Sequence, residues 1–278
     1  MEEALVSVVI PTYNRADRLE KAVRSVLEQT YSNLEVIVVD DGSTDHTRQV
    51  IEEIQDLRLH YVWQKNSGAC VARNYGVTQA RGSYIAFHDS DDIWYPDKLE
   101  KQMKQLQKKK ADVIVCKLAM RRADGTITFY PKRIKKGFVS PRADLFGIGT
   151  QTIVARAQVL KAEPFFTKLP RYQDLEWIYR VVQKFSVYCL DEALVDYELG
   201  NDSISKSPER MFQALVLMQK LHPDIRTKNP ALALHIVRDL FSGWQEMRKK
   251  EPDQSRKYWK LMWAYYPGML RYLVSKRR

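Results

Sequence analysis

Residues 35–43 read EVIVVDDGS, an apolar run rich in β-branched residues that ends in two aspartates and a glycine. Such a run is typical of a strand that is buried on both faces of a parallel sheet. An earlier apolar run, residues 6–10, ends at Pro11, and residues 18–29 between the two runs repeat apolar side chains at helical spacing. The order strand, helix, strand predicts an α/β fold with a Rossmann-like parallel sheet.

The alternation continues along the chain and then becomes more mixed. A helix is expected around Ile51, capped by Ser43 or Thr44. A third strand is predicted to end near residue 62. The other predicted strands cover residues 83–87, 112–116, 126–130, 152–155 and 187–190. The other predicted helices cover residues 69–79, 97–110 and 174–184, with Pro96 at the start of the second. After Ser205 the pattern indicates helices only, separated by prolines.

The chain is therefore expected to hold two regions. Residues 1–202 form one α/β domain, with a first half over 1–97 and a second half over 98–202. Residues 203–278 form a basic, helical C-terminal region. The boundary between them coincides with a change in charge.

The composition excludes several classes of protein. The 278 residues are 45% hydrophobic, which is enough to fill a core. Cys70, Cys116 and Cys189 form no CxxC pair, which argues against a disulfide scaffold and a four-thiolate zinc site. No apolar run approaches the ~20 residues that cross a bilayer, and residues 1–4 lack the features of a signal peptide. We therefore expect a cytoplasmic protein.

The net charge of +11 is distributed unevenly. Residues 1–97 carry 9 Lys/Arg and 16 Asp/Glu, whereas residues 98–136 carry 13 and 3. Residues 203–278 carry 16 Lys/Arg and 6 Asp/Glu. The positive charge therefore belongs to two separate segments, and the first third of the chain is acidic.

The two basic segments leave several partners open. Lys101, Lys104 and Lys108 lie on one face of a helix, which is typical of a solvated surface, and no aromatic residues interleave with them for nucleic-acid stacking. The aromatic and basic residues of 253–278 are typical either of a segment that lies on an anionic membrane or of a helical appendage packed on the main domain. A basic nucleic-acid-binding protein is a less favoured alternative.

Carboxylates follow two of the predicted strands. Asp40 and Asp41 come after the second strand, and Asp89, Asp91 and Asp92 come after the fourth. Ligands of open α/β sheets bind at the carboxyl ends of the strands. Oxygen ligands without a nearby His/Cys pattern suit Mg²⁺ or Mn²⁺. Each aspartate alone is as well explained as a helix cap or turn residue, but together they predict a metal site.

Four segments in order carry a family resemblance: 8–14 (VVIPTYN), 39–45 (VDDGSTD), 66–76 (NSGACVARNYG) and 89–94 (DSDDIW). They resemble the motif series of family-2 glycosyltransferases, which are inverting enzymes with the GT-A fold. The resemblance implies transfer of a sugar from a nucleotide-diphosphate donor, with UDP favoured, to a hydroxyl of a glycan or lipid-linked acceptor. It also implies Mn²⁺ or Mg²⁺ as cofactor and a role in cell-surface polysaccharide synthesis. In this interpretation, 1–97 is the nucleotide- and metal-binding half of the domain and 98–202 is the acceptor half. A catalytically inactive nucleotide-binding module is the alternative.

The resemblance also implies roles for individual residues. Asp41 matches the position that reads the nucleotide base, and a carboxylate that only accepts hydrogen bonds suits the N3–H of uracil. Asp89 matches a position toward the ribose, and Asp91 matches the metal position. Arg73 contacts the donor or forms an ion pair with one of these carboxylates. The complete set of implied donor-binding residues is Pro11, Thr12, Tyr13, Asp41, Arg73, Asp89 and Ser90.

Residues 171–177 (RYQDLEW) resemble the late acidic motif of the family, with Asp174 at the position of the catalytic base. An inverting transfer needs one base that removes the proton of the acceptor hydroxyl. A cap of the helix that follows is the less favoured role of Asp174, and the two roles are compatible. Glu176 is the alternative base.

The pattern departs from the family in one segment. Within 197–205 (YELGNDSIS) the expected arginine is Glu198, and no histidine follows. Lys206 or Arg210 is the candidate replacement for that positive charge. On the acceptor side the candidates are Thr150, Gln151 and Thr152, which fit a strand end equally well.

Overall fold

A computed structural model describes residues 3–122, 124–198 and 207–275, with the backbone alone for 198 and 268–275. Ten strands are described: β1 Val6–Thr12, β2 Leu34–Asp40, β3 Leu59–Trp63, β4 Tyr84–Phe87, β5 Ile93–Trp94, β6 Val113–Arg121, β7 Ile127–Tyr130, β8 Gly137–Phe138, β9 Ile153–Arg156 and β10 Val187–Glu198. The helices are α1 Ala16–Leu27, α2 Thr47–Glu52, α3 Ala69–Gln79, α4 Lys98–Lys109, α5 Ala157–Ala162, α6 Gln173–Val182, α7 Pro208–Leu221, α8 Ile225–Lys228, α9 Pro230–Lys250 and α10 Pro252–Ser275. A 3₁₀ turn covers Thr150–Thr152.

The strands form one mixed sheet with the order β3-β2-β1-β4-β9-β6-β10-β5, and β7 and β8 pair with β6 and β10. β1 is parallel to β2 on one side and to β4 on the other, and β2 is parallel to β3. β9 runs antiparallel to both β4 and β6, which places it between the two halves of the sheet. The predicted α/β class, with a parallel first half and a mixed second half, is confirmed.

Both faces of the central strand β1 are covered. Val9 belongs to one apolar core, which includes residues of α3, α6 and the C-terminal helices. Val8 and Ile10 belong to the other core, with residues of α1 and α4. Helix α3 lies close to the sheet because it carries Gly76, where an added Cβ would lie 2.3 Å from Val9 Cγ1. This close packing sets the position of the residues on α3 that face the site.

Two local expectations at the strand ends are wrong. Pro11 does not end β1, which continues to Thr12 with Pro11 opposite Val39. The proline is tolerated because β4 pairs with β1 only as far as Val9, so no partner on that side requires the missing N–H. Neither Ser43 nor Thr44 caps α2. 

The start of α2 is instead held by Asp45. Its Oδ1 accepts hydrogen bonds from Thr47 N (3.0 Å) and Thr47 Oγ1 (2.5 Å), and its Oδ2 accepts one from Ala16 N (3.2 Å). This one carboxylate therefore connects the starts of α1 and α2.

The second half of the domain differs from the prediction in strand length. β10 was expected only over 187–190, but it runs to Glu198 because it pairs with β6 through an irregular register and then with β5. Helix α5 and the two-residue strands β5 and β8 have no counterpart in the prediction. Short elements of this kind depend on pairing with distant strands and leave little periodic signal.

The C-terminal helices pack on the domain that precedes them. Asn229 Nδ2 donates to Pro141 O (2.9 Å) and Ala143 O (2.8 Å), and Tyr172 Oη donates to Asp239 Oδ2 (2.7 Å). The predicted helical appendage is therefore confirmed. The proposed boundary near residue 203 lies outside the described residues and stays a prediction. In the described part of the chain, none of the helices has the length and apolar character needed to cross a bilayer.

Candidate active site

The loops that follow β1 and β2 are tied together. Asn14 adopts a left-handed conformation (φ 51°), and its backbone N donates to Ser43 Oγ (2.9 Å). In return, Thr44 N donates to Asn14 Oδ1 (2.8 Å). Tyr13 next to this connection keeps 47% of its surface exposed, whereas Pro11 is buried. The exposed ring is therefore the one of these two side chains that is available to a ligand.

Asp40 has a structural role. It is 1% exposed, and its two oxygens accept hydrogen bonds from Ser43 N (2.8 Å) and Tyr61 Oη (2.6 Å). These bonds fix the turn after β2. Asp40 is therefore explained by the alternative role of a turn residue.

Asp41 is held by the loop before α3. Its Oδ1 accepts from Gln64 Nε2 (2.6 Å) and Ser67 N (2.8 Å), and its Oδ2 accepts from Gly68 N (2.7 Å). A carboxylate oxygen has two lone pairs, so Oδ2 retains capacity for one further donor. The partners of Asp41 were not anticipated from the sequence, because they lie 23–27 residues away.

Asp89 at the end of β4 is paired with Arg73 of α3. The Arg73 Nη2 to Asp89 Oδ1 distance is 2.7 Å, and the arginine side chain is 9% exposed. The ion-pair alternative for Arg73 is therefore observed. Arg73 Nε remains buried without a hydrogen-bond partner, as does Thr12 Oγ1.

Thr150 also belongs to this group. Its Oγ1 lies 3.4 Å from both oxygens of Asp89. Thr152, by contrast, is 0% exposed, and its hydroxyl donates to Gly149 O. Thr150 to Thr152 therefore form a buried 3₁₀ turn before β9, and a strand-end role fits Thr152 better than an acceptor contact.

Asp91 and Asp92 lack protein partners. Asp91 makes no hydrogen bond or salt bridge to another described residue. Asp92 is 1% exposed, yet neither of its oxygens has a hydrogen-bond partner, although Gln151 lies nearby. Burial raises the pKa of both carboxyls, and the negative charge of Asp89 raises it further. Ser90, between Asp89 and Asp91, is buried. Arg15 and Arg18 offset only part of this negative charge, because the pKa of Asp91 stays above its ordinary value, and the remaining charge fits a cation.

The protein alone supplies few ligands for such a cation. Across residues 3–122, 124–198 and 207–275, no group of three or more His, Cys, Asp or Glu side chains is arranged to hold a metal ion. Mg²⁺ and Mn²⁺ commonly bind through one or two carboxylates, with waters and substrate phosphates as the other ligands. The donor set is therefore consistent with a metal that binds together with a diphosphate.

Asp174 lies in the first turn of α6 and faces the same group. Its Oδ1 accepts only from Leu175 N (2.7 Å), which leaves Oδ2 without a described partner. Burial raises the pKa of Asp174, and the nearby Asp89 also raises it, while Arg73 opposes the shift. Arg73 is thus close enough to interact with both carboxylates. Helix α6 brings Asp174 to the end of β4 across 85 residues of sequence.

Glu176, two residues further on, faces away from this group. It is 2% exposed and pairs with Arg180 Nε (2.7 Å) and His222 Nε2 (2.9 Å). Burial alone would raise the pKa of Glu176, but the bonds with His222 and Arg180 outweigh it, and the pKa lies below its ordinary value. With both of its partners supplied by the fold, Glu176 has the geometry of a structural residue.

Lys98 is a buried residue of this region that the sequence interpretation missed. It is 0% exposed, its Nζ lies 3.6 Å from the centroid of the Trp94 ring, and it donates to Gln102 Oε1 (2.7 Å). The signal was present, because Lys98, Gln102 and Leu106 follow one another at steps of four along the apolar face of α4. Lys101, Lys104 and Lys108 do lie toward solvent as expected.

Several expectations fall on residues that are not described. These are the side chain of Glu198, residues 199–205 and Lys206. Arg210 is described, and it is exposed in the first turn of α7. Its proposed contribution to a diphosphate contact stays a prediction.

The fold and the strand-end group define the class of protein. Residues 7–167 match the sequence profile of the family described as Glycosyl transferase family 2. The chain therefore belongs to glycosyltransferase family 2 and is a glycosyltransferase. The family resemblance seen in the sequence motifs is confirmed.

Two relatives illustrate its place in this family. TuaG of Bacillus subtilis (strain 168), named as a teichuronic acid biosynthesis glycosyltransferase, is 35% identical over 215 residues, which cover 73% of this chain and 82% of TuaG. WfgD of Escherichia coli, named as a UDP-Glc:alpha-D-GlcNAc-diphosphoundecaprenol beta-1,3-glucosyltransferase, is 42% identical over 109 residues. That segment covers 39% of this chain and 43% of WfgD.

Solved structures share the fold at low sequence identity. Residues 1–349 of Staphylococcus aureus TarS, in complex with UDP-GlcNAc, align with a TM-score of 0.74 and 21% identity over 95% of this chain and 81% of that one. The mannosyltransferase PcManGT from Pyrobaculum calidifontis, in complex with GDP-Man and Mn²⁺, aligns with a TM-score of 0.61 and 19% identity over 98% and 87%. This chain spans 43% of a longer TarS structure. These likenesses confirm the GT-A fold.

Proposed function

We propose that this protein is a metal-dependent inverting glycosyltransferase that transfers a sugar from a UDP-sugar to a hydroxyl of a glycan or lipid-linked acceptor in cell-surface polysaccharide synthesis. The observation that carries the proposal is that Asp174 and Asp89 both lie close enough to Arg73 to interact with it. The Asp174 carboxylate, with one oxygen that has no described partner, therefore lies near the end of β4, where the donor is expected to bind. Family membership favours this function over an inactive module or a nucleic-acid-binding protein.

Asp174 is the proposed catalytic base. In the transfer, one of its oxygens takes the proton of the acceptor hydroxyl while the acceptor oxygen bonds to the anomeric carbon. The bond from that carbon to the diphosphate oxygen breaks, and its electron pair leaves with the nucleotide diphosphate. A raised pKa makes Asp174 a stronger base than an exposed aspartate, which suits this step.

Asp91 is the proposed metal-binding residue. A bound Mn²⁺ or Mg²⁺ would neutralise the negative charge that develops on the leaving diphosphate. The carboxylate of Asp91 has no described protein partner that would compete for it. Arg73 adds positive charge on the same side, since its Nε is buried and unpaired. Asp89, held by Arg73 and Thr150, is the proposed contact to the donor ribose.

UDP is the proposed nucleotide. Of Pro11, Thr12 and Tyr13, only Tyr13 is exposed, so its ring is the proposed contact to the nucleoside, and Asp41 Oδ2 has capacity for the N3–H of uracil. The names of TarS bound to UDP-GlcNAc and of WfgD support UDP, whereas PcManGT was solved with GDP-Man. The names of TuaG and WfgD support a polysaccharide or lipid-linked acceptor.

The test is a nucleotide screen followed by a turnover assay. The melting temperature of the protein is measured with UDP, GDP, CDP and ADP, each with and without Mn²⁺, and the protein is then assayed for UDP release from a panel of UDP-sugars. We expect a shift with UDP that requires Mn²⁺, and UDP release that rises when acceptor is added. A shift with GDP alone would contradict the choice of nucleotide, and the absence of a shift with any nucleotide would contradict the proposed function.

A further inference from the structure

The outer face of the α9–α10 hairpin carries a continuous row of aromatic rings. Consecutive ring centroids lie 5.5 Å apart from Phe241 to Trp244, 5.7 Å from Trp244 to Trp259, 6.3 Å from Trp259 to Trp263 and 4.8 Å from Trp263 to Tyr266. We call these five residues the aromatic row. Two helices contribute to it, so neither segment of sequence shows the complete row.

Three members of the aromatic row are exposed, whereas Tyr266 is half-buried and Trp244 is half-buried and packs against the core that holds the hairpin on the protein. The inner faces of the two helices bury Leu240, Met247, Tyr258 and Tyr265, and Tyr258 Oη donates to Pro208 O (2.9 Å). In the row, Phe241 is 43% exposed. Trp259 is 47% exposed and Trp263 is 55% exposed. Such a group of large exposed rings marks an interaction surface rather than a core.

Basic side chains lie next to the aromatic row on both helices. On α9, the Arg248 guanidinium lies 5.3 Å from the centroid of the Trp244 ring, and Lys249 follows it. On α10, Arg256 is three residues before Trp259 and Lys260 is three residues before Trp263, which places them on the adjoining helix face. Residues 230–275 contain eight Arg or Lys and four Asp or Glu. The surface is therefore both aromatic and net positive.

This combination selects one kind of partner. Tryptophan and tyrosine side chains favour the interface between lipid headgroups and acyl chains, and neighbouring Lys and Arg attract anionic lipids. A protein partner with an acidic, apolar surface would satisfy the same charges. A bilayer fits better because the exposed rings come from both helices of the hairpin and lie beside basic side chains, which is typical of amphipathic helices that lie in the interface plane.

We propose that the aromatic row and its flanking basic residues are a membrane-docking surface, by which the protein binds the interface of an anionic bilayer without spanning it. The inference does not depend on the proposed function, because it concerns a surface outside the strand-end carboxylates and is read out by vesicle binding. It gives the membrane alternative from the sequence a specific set of side chains. It also includes residues of α9, which lie outside the candidate membrane segment 253–278 that the sequence pattern indicates.

The first test is flotation with vesicles of phosphatidylcholine alone and vesicles with added phosphatidylglycerol. The wild-type protein is expected to bind the anionic vesicles and to lose binding at high salt. The Trp259→Ser/Trp263→Ser variant is expected to bind at least about tenfold more weakly than the wild type, since two half-exposed rings no longer enter the interface. The matched control is Phe129→Ser/Phe138→Ser, which removes two rings of similar exposure (52% and 59%) elsewhere on the protein.

The second test changes charge alone. Arg256→Gln/Lys260→Gln is expected to weaken binding to anionic vesicles by about tenfold, because each basic residue near an anionic surface contributes to attraction. Lys104→Gln/Lys108→Gln removes the same charge from the exposed face of α4 and is expected to bind as the wild type does. All four side chains are exposed, so these variants stay interpretable if the tryptophan variant fails to fold.

Three outcomes would overturn the proposal. The first is equal vesicle binding by the wild type and the Trp259→Ser/Trp263→Ser variant. The second is equal loss of binding for the two charge variants, which would show that only net charge matters. The third is a wild-type dimer in light scattering that the tryptophan variant loses while vesicle binding is absent, because a second copy of the chain would then cover the aromatic row.

Discussion

Buried carboxylates fall into two groups in this protein, and α6 holds one of each within three residues. Glu176 is 2% exposed and pairs with Arg180 and His222, whereas Asp174 has one oxygen without a described partner. The pKa of Glu176 lies below its ordinary value and that of Asp174 lies above it. Both residues are desolvated, so the difference comes from the partners and not from burial.

The same contrast separates the two acidic loops. Asp40 and Asp41 after β2 accept hydrogen bonds at both oxygens, whereas Asp91 and Asp92 after β4 do so at neither. A carboxylate with a full set of donors is stabilised in its charged form by the fold itself. A buried carboxylate without donors is costly to the fold and is retained where a ligand supplies the missing partner. The contrast therefore separates Asp40, whose partners the fold supplies at both oxygens, from Asp91, for which we propose a metal ion.

The largest effect that this contrast predicts is on Asp174. Asp174→Asn is expected to lower kcat by about 10²- to 10⁴-fold, because the amide cannot take the proton of the acceptor hydroxyl. Its melting temperature and its UDP-dependent shift are expected to stay near the wild-type values. Asp17→Asn, which changes an exposed aspartate on α1, is the control. Near wild-type turnover by Asp174→Asn would remove this residue from the proposed role.

Asp40 is expected to behave in the opposite way. Asp40→Ala leaves Ser43 N and Tyr61 Oη without their acceptor, which is expected to cost about 2–4 kcal/mol of unfolding free energy. Urea denaturation followed by tryptophan fluorescence measures the change. A variant as stable as the wild type would show that water replaces the carboxylate, and Asp40 would then leave the structural group.

Asp91→Asn sharpens the contrast within one loop. We expect the Mn²⁺-dependent part of UDP binding to weaken about ten- to hundredfold, since a charge-assisted contact is lost. Without ligand, we expect the melting temperature to stay the same or rise, because a buried negative charge beside Asp89 is removed. Titration calorimetry with and without Mn²⁺ measures the first effect, and a melting curve measures the second. A clear loss of unliganded stability would contradict the assignment.

The smallest effect is the pH dependence of the Glu176 pair. Because the pKa of this carboxyl lies below its ordinary value of 4.5 in the folded protein, its stabilisation is complete above about pH 4.5 and is lost as the pH falls through the folded pKa. Glu176→Gln is expected to be about 2 kcal/mol less stable at pH 7. The difference from the wild type should shrink below pH 4.5. A difference that is constant with pH would show that packing, not charge, stabilises this position.

Local patterns were sufficient to predict most of the first half of the fold. Helix α1 was predicted over 18–29 and is observed at Ala16–Leu27, and β2 was predicted over 35–39 and is observed at Leu34–Asp40. Each pattern repeats a period set by the backbone alone. The antiparallel insertion of β9 and the length of β10 were beyond this reasoning, because both depend on which distant strands pair.

The sequence motifs predicted which residues belong to the candidate site, but not their hydrogen-bond and ion-pair partners. The motifs named Asp41, Asp89, Asp91 and Asp174, and the structure brings Asp89 and Asp174 together around Arg73. No motif indicates that Gln64 and the loop after it donate hydrogen bonds to Asp41. Their roles in donor binding and catalysis stay predictions that the variants above test.

The sequence by itself determined the class of fold, the family and the acidic strand ends, because these follow from local periodicity and from short ordered motifs. Only the tertiary structure decided which carboxylates are satisfied, since the partners of Glu176 include His222, 46 residues away. It also joined Trp244 of α9 to Trp259 of α10 in one aromatic row. Hydrogen bonds and ring contacts act over a few ångströms, so their members are known only when the chain is folded.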